Sequence, residues 1–192
     1  MRVFRLIAME VSDPHSSGSA YSVFRTDIGV FSTVANAEEM IRIHAKRVDG
    51  HATMLGYALY ENELDDIAPH GPWKETPQFL SARTYLADGT LNAFCDCDDT
   101  CEKQWRGRDK ATIRFKAGDF VSVLRGGTVH TELIGAQPIT TERGYVGDWT
   151  DDCYMTYQAN GGHEHPFTPY VFPLIGTLPD KVREKLLAAR EK

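Results

Sequence analysis

Two groups of metal-ligand side chains carry the densest chemistry in this chain of 192 residues. Cys95-Asp-Cys97-Asp-Asp-Thr-Cys101 crowds three thiols together, and His163-Glu-His165 places two imidazoles after a pair of glycines. Thiolates and imidazoles are zinc ligands, and four of them in a tetrahedral shell make a structural site. Cys95, Cys97, Cys101, His163 and His165 are therefore the candidate ligands, and zinc is the cofactor they would take. The C-x-C-x₃-C spacing is not a paired-knuckle pattern and no C-x₂-C exists. The same residues thus also read as polar loop residues in a reducing compartment.

Cys153 is the candidate nucleophile, because His163 and His165 follow it closely and a thiolate needs a base or a positive charge nearby. Asp151 and Asp152 directly before it disfavour the thiolate, so a small buried hydrophobe is the competing reading. Acidic groups recur at Asp65-Asp66, Asp96, Asp98-Asp99, Asp148 and Asp151-Asp152 without the ordered spacing of a calcium loop, and they read as solvated loops. Walker, G-x-G-x-x-G, H-E-x-x-H and G-x-S-x-G motifs are absent from the sequence. Gly126-Gly127 precedes no helix and is not a phosphate cradle. Trp73, Trp105 and Trp149 fall in or beside predicted loops, where large apolar side chains either pin the loop to a core or bind a partner. Trp105, Tyr145 and Trp149 are the candidate binding surface.

The elements that must position these residues are mostly strands. Residues 3–11 form an apolar run that suits a strand buried on both faces. Tyr21 to Thr26 and Val30 to Val34 read as two strands around Asp27-Ile-Gly29. Asn36, with Glu39 three residues on, reads as a helix N-cap, and Met40, Ile41, His44 and Val48 share one stripe ended by Gly50. His44 on that stripe reads as a boundary core residue. Thr53 to Tyr60 alternates with Leu55, Tyr57 and Leu59 on one face. Glu61 to Gln78, with three prolines, reads as a loop and a unit boundary. Arg83 to Phe94 reads as a hairpin turning at Asp88-Gly89 through a type I′ turn.

Ile113 to Ile134 reads as a three-stranded meander with turns at Lys116-Ala-Gly-Asp119 and Arg125-Gly-Gly-Thr128. Val129, Thr131 and Leu133 fall on one face of it, with His130 and Glu132 on the other. Cys153 to Gln158 reads as a strand with Tyr154 and Thr156 opposed to Met155 and Tyr157. Asn160 to Pro166 reads as an irregular loop, and Tyr170 to Pro173 as an edge strand. Thr177 reads as the cap of a last helix, with Asp180 reciprocating and Leu178, Val182, Leu186 and Ala189 as its apolar stripe.

The pattern F-K-x-G-D-x-V-x-V followed by G-x-V in residues 113–134 resembles the opening strands of SH3-like small barrels such as the KOW and Tudor-like modules. The resemblance covers about a tenth of the chain and rests on turn chemistry. It implies a small antiparallel barrel in which Asp119 caps a turn.

The fold expected is α+β: a strand-helix-strand unit over 1–78, an antiparallel sheet or SH3-like barrel over 79–176 and a C-terminal helix over 177–192, or all of these in one compact domain. Hydrophobic residues at 42% and charged residues at 25% are ordinary globular composition. A net charge of −6 without a long basic run argues against a nucleic-acid backbone partner. No apolar run reaches the ~18 residues of a membrane helix, and the short N-terminal patch closed by Glu10 makes a poor signal segment. The expected home is a reducing cytoplasm. Missing catalytic motifs and loop aromatics favour a non-enzymatic binding or adaptor module that acts through the barrel face and the aromatic loops, with protein as the partner class. The alternative is a metal-containing enzyme or a zinc-stabilised domain.

Overall fold

The computed structural model describes residues 1–12, 18–48, 53–63, 81–96, 114–137, 154–166 and 170–191. The elements in chain order are β1 (Arg2–Val11), β2 (Ala20–Phe31), α1 (Val34–Arg47), β3 (Met54–Glu63), β4 (Ser81–Leu86), β5 (Leu91–Asp96), β6 (Phe120–Arg125), β7 (Thr128–Ala136), β8 (Met155–Tyr157), β9 (His163–Glu164), β10 (Val171–Pro173) and α2 (Asp180–Arg190). Among the described residues every strand pairing is antiparallel, and the sheet runs β10-β6-β7-β2-β1-β3-β4-β5. The expected α+β class is present as an antiparallel sheet with two helices.

Side-chain alternation sorts the apolar residues onto two faces. Met9, Val11, Tyr21, Leu55, Leu86, Leu124, Val129 and Phe172 meet on the inner face, drawing on both ends of the strand order. That shared cluster requires the sheet to coil so that its halves face one another. On the outer face, Ala37, Ile41 and Ala45 of α1 cover Leu6, Ala8, Tyr57, Leu59 and Tyr85. Val182 and Leu186 of α2 close on Leu133 beside Phe120. Each such fully buried aliphatic side chain contributes about 1.5–3 kcal/mol. Buried on both faces, β1 and β3 justify their near-continuous apolar composition.

Among the described residues no ladder joins β10 to β5, so the strands do not close into a barrel. The two end strands touch through a side chain instead. Asn92 is the extra residue of a β-bulge, since Thr84 opposes Ala93 and Tyr85 opposes Leu91. Its Nδ2 donates to Thr84 Oγ1 at 3.3 Å and to the Val171 carbonyl at 3.4 Å.

Several local expectations are corrected. Ile113 lies outside the described residues, and 114–116 form no strand, so the expected meander is a β6–β7 hairpin. Side chains take over the backbone groups there: Arg114 N and Phe115 N donate to the Tyr154 hydroxyl, and Gln137 Nε2 donates to Phe115 O. The turn before β6 forms as read, with Gly118 at φ +97° and Asp119 accepting from Lys116 N at 2.9 Å.

Asp27-Ile-Gly29 does not separate two strands. Asp27 opposes Ile7 and Gly29 opposes Leu6, which makes Ile28 a bulge inside one long β2. The turn-forming Asp27 is held instead by Arg5, whose Nε and Nη2 donate to its two carboxylate oxygens at 2.7 and 2.8 Å.

Leu55 is the extra residue of a bulge in β3, since Met9 opposes Gly56 and Glu10 opposes Met54, so Leu55 faces inward while Tyr57 and Leu59 face α1. A Cβ at Gly56 would stand 2.2 Å from Tyr85 O, so this position beside the bulge tolerates only glycine. The β4–β5 turn is centred one residue earlier than a type I′ turn at Asp88-Gly89: Gly89 N donates to Leu86 O, with Gly89 at φ +82°. β3 and β4, which flank the expected boundary segment, pair along six residue pairs. Gly50 and most of that segment lie outside the described residues.

Candidate functional site: a buried carboxylate under a histidine hairpin

The polar face of β7 is not solvated as its alternation suggests. Val129 and Leu133 do point into the core, but Glu132 on the opposite side is completely buried. Val121 of β6 sits opposite it, and the β8–β9 hairpin pairs further along β7. Around this carboxyl β6, β8 and the turn after β8 contribute three partners. Thr156 of β8 donates its hydroxyl to Oε2 at 2.5 Å, and Gln158 Nε2 donates to Oε1 at 3.4 Å. Arg125 at the end of β6 brings Nη2 to 2.6 Å from Oε1. The angle is poor for a hydrogen bond, and the contact is chiefly Coulombic. Arg125 Nη1 also lies 4.0 Å from Oε1 of the exposed Glu164 on β9.

Burial drives the electrostatics. It raises the Glu132 pKa above the usual carboxylate range, against the opposing effects of Thr156, Arg125 and Gln158. Burial, and then the Arg125 charge, lowers the pKa of His130, two residues before Glu132 on the same face.

The hairpin over this carboxyl is the expected loop at Asn160 to Pro166. His163 and Glu164 form β9, paired with Tyr157 and Thr156 of β8. The two glycines make this possible by turning the chain, with Gly161 at φ +90° and its N–H donating to Gln158 O at 3.0 Å. Tyr154 and Thr156 are fully buried and Met155 and Tyr157 half-buried, as their alternation predicts. His163 and His165 are exposed and stand edge to face, with ring centroids 5.9 Å apart.

Cys95 lies on β5, opposite Ala82 of β4, with four strands between β5 and β7 in the order of the sheet. The other candidate ligands Cys97 and Cys101, the candidate nucleophile Cys153 and the candidate surface Trp105, Tyr145 and Trp149 lie outside the described residues. Among the described residues no three His, Cys, Asp or Glu side chains converge on a metal position. A cleft beside Met54, Leu55, Pro173 and Ile175 is lined without a titratable side chain.

His44 behaves as read: partly buried, with Nδ1 3.0 Å from the hydroxyl of the buried Tyr57. Missed from sequence was the group formed by Arg125, Glu132, Thr156 and Gln158. The one available signal was an acid alternating with apolar residues seven positions after an arginine, across a glycine turn.

Compared with known proteins, the chain matches no family model, no curated protein and no solved structure. No helix among the described residues is long and apolar enough to cross a membrane.

Proposed function

We propose that the protein is a non-enzymatic binding module that takes up an extended segment of a protein partner along the outer edge of β2. One observation carries this reading. The ladder between β2 and β7 ends at Ser22, while β2 runs on to Phe31 paired only with β1 among the described residues. Val23 N and an Arg25 guanidinium nitrogen still reach Gly127 O and Gly126 O, and beyond them the edge has no described strand beside it. Phe24 and Val30 are 60% and 53% exposed there, and the segment contains no proline. Open edges template strand addition, in which backbone hydrogen bonds supply affinity and alternate side chains supply selectivity. The sequence features pointing to recognition, namely Trp105, Tyr145, Trp149 and the SH3-like pattern of 113–134, favour the same class.

A photoreactive phenylalanine at position 24, activated in the native cell, is expected to capture one predominant protein. Val30→Lys, which places a charge on the edge, is expected to remove that adduct. Turnover of a small substrate that His163→Ala abolishes would overturn the reading.

The paired rings of His163 and His165 favour a second reading, a zinc-stabilised domain or metal enzyme completed by the cysteines. Elemental analysis of protein never exposed to chelator tests it, and a lack of stoichiometric zinc ends it.

A further inference from the structure

We propose that Glu132 is a proton-controlled latch that fastens the β8–β9 hairpin, and with it His163 and His165, to the sheet. The argument is geometric and independent of the docking edge on β2. Glu132 itself is anchored, because β7 is paired to β6 along six residue pairs and the residue is fully buried. The hairpin it grips is short, a three-residue strand carrying a two-residue strand. Short ladders of this kind open well below the free energy of global unfolding. Two of the three groups holding the carboxyl, Thr156 and Gln158, belong to that hairpin or its turn.

The charged groups facing the latch set its sign. β6 contributes Arg125, β7 contributes His130, β9 contributes Glu164, and the β8 groups that bind Glu132 are neutral. When Glu132 is ionised, it and Glu164 share one guanidinium, and a buried negative charge lies beneath the hairpin. Uptake of one proton from solvent removes that buried charge and leaves Arg125 to Glu164. This gain outweighs the weakening of the hydrogen bonds from Thr156 and Gln158, which favour the ionised form. The closed hairpin thus holds the proton more tightly than the open one, in which Glu132 meets water. Closure therefore strengthens as pH falls through the raised pKa of Glu132 toward the ordinary carboxylate value. His130 has the opposite sign: its lowered pKa makes acidification favour opening, so it does not mimic the effect.

Hydrogen exchange of the β8 and β9 amides, corrected for intrinsic rates and followed from about pH 8 to pH 5, reads the latch directly. Protection of these amides is expected to rise, by at most about tenfold for each unit by which the Glu132 pKa is shifted, because His130 opposes the change. Glu132→Gln is expected to abolish the rise, and Glu164→Gln to keep it. Protection that does not rise on acidification, a rise that persists in Glu132→Gln, or its loss in Glu164→Gln overturns the proposal. A carboxyl-carbon NMR titration of the wild-type protein decides the matter even where Glu132→Gln fails to fold. Titration of Glu132 above the usual glutamate range is expected, and titration within or below it overturns the proposal.

Discussion

Tyr57 and Tyr85 lie under α1 almost without solvent contact, and each keeps its phenol neutral at a cost that only appears in alkali. Burial, and then the Glu10 charge, pushes the Tyr57 pKa up to about 12. Burial, and then donation to Glu38 Oε1 at 2.9 Å, raises that of Tyr85 further. In the unfolded chain both phenols ionise near pH 10, so the folded state binds their protons more tightly. Their contribution to stability is complete below pH 10 and is lost as pH rises through the folded values. Denaturant midpoints are expected to fall steeply above that point, and Tyr57→Phe is expected to flatten the fall. An equal slope in the variant would remove Tyr57 from this account. At the same scale, the sequence identified His44 as a boundary core residue but placed Glu132 only on the face opposite Val129 and Leu133. Alternation reports which side of a strand a residue takes and nothing about what covers that side.

At the scale of elements, apolar periodicity located both helices and most strands, while polar punctuation misled at their ends. Asn36 has the composition of an N-cap, yet Thr33 holds that place, with extended φ −143° and ψ 154° and its Oγ1 accepting from Asn36 N at 3.2 Å. Thr33→Ala is expected to lower stability by about 1 kcal/mol in urea unfolding, with Asn36→Ala changing it by no more than a few tenths. The reverse order would restore Asn36 as the cap. In α2 the stripe Val182, Leu186 and Ala189 is buried as read, but Pro179 rather than Thr177 precedes the first turn, without a side-chain cap. Thr33 and Asn36 compete for the same backbone groups, and sheet geometry decides between them: β2 ends at Phe31 and delivers Thr33 in the extended conformation a cap needs. Asp27-Ile-Gly29 and Asn160 to Pro166 follow the same logic. Their turn-forming residues become a bulge and a hairpin because neighbouring strands offer ladder partners.

At the scale of the molecule, Asn92 ties the two ends of the strand order, β5 and β10, by a hydrogen bond across the coiled sheet. Asn92→Ala removes a buried donor from the Val171 carbonyl and from Thr84, an expected loss of about 2 kcal/mol. Hydrogen exchange is expected to rise at β10 and β5 together while α1 keeps its protection. An effect confined to the β4–β5 turn would mean that Asn92 only shapes its own bulge. Reading the bulge from sequence was not feasible, since Thr90-Leu-Asn-Ala-Phe alternates like a regular strand.

By itself the sequence determined the α+β class, the two-sided burial of β1, the alternation of β7 and β8, the apolar stripes of α1 and α2 and the glycine turn before β6. Those properties follow from backbone periodicity and local sterics, which act over a few residues. Only the tertiary structure decided that β2 outruns β7 and leaves an edge, that Asn92 meets Val171, and that Glu132 lies beneath a hairpin formed some thirty residues further on. Each of these joins segments far apart in the chain. Their energy comes from burying a polar group or leaving a strand edge open, and that depends on which distant strand arrives as neighbour.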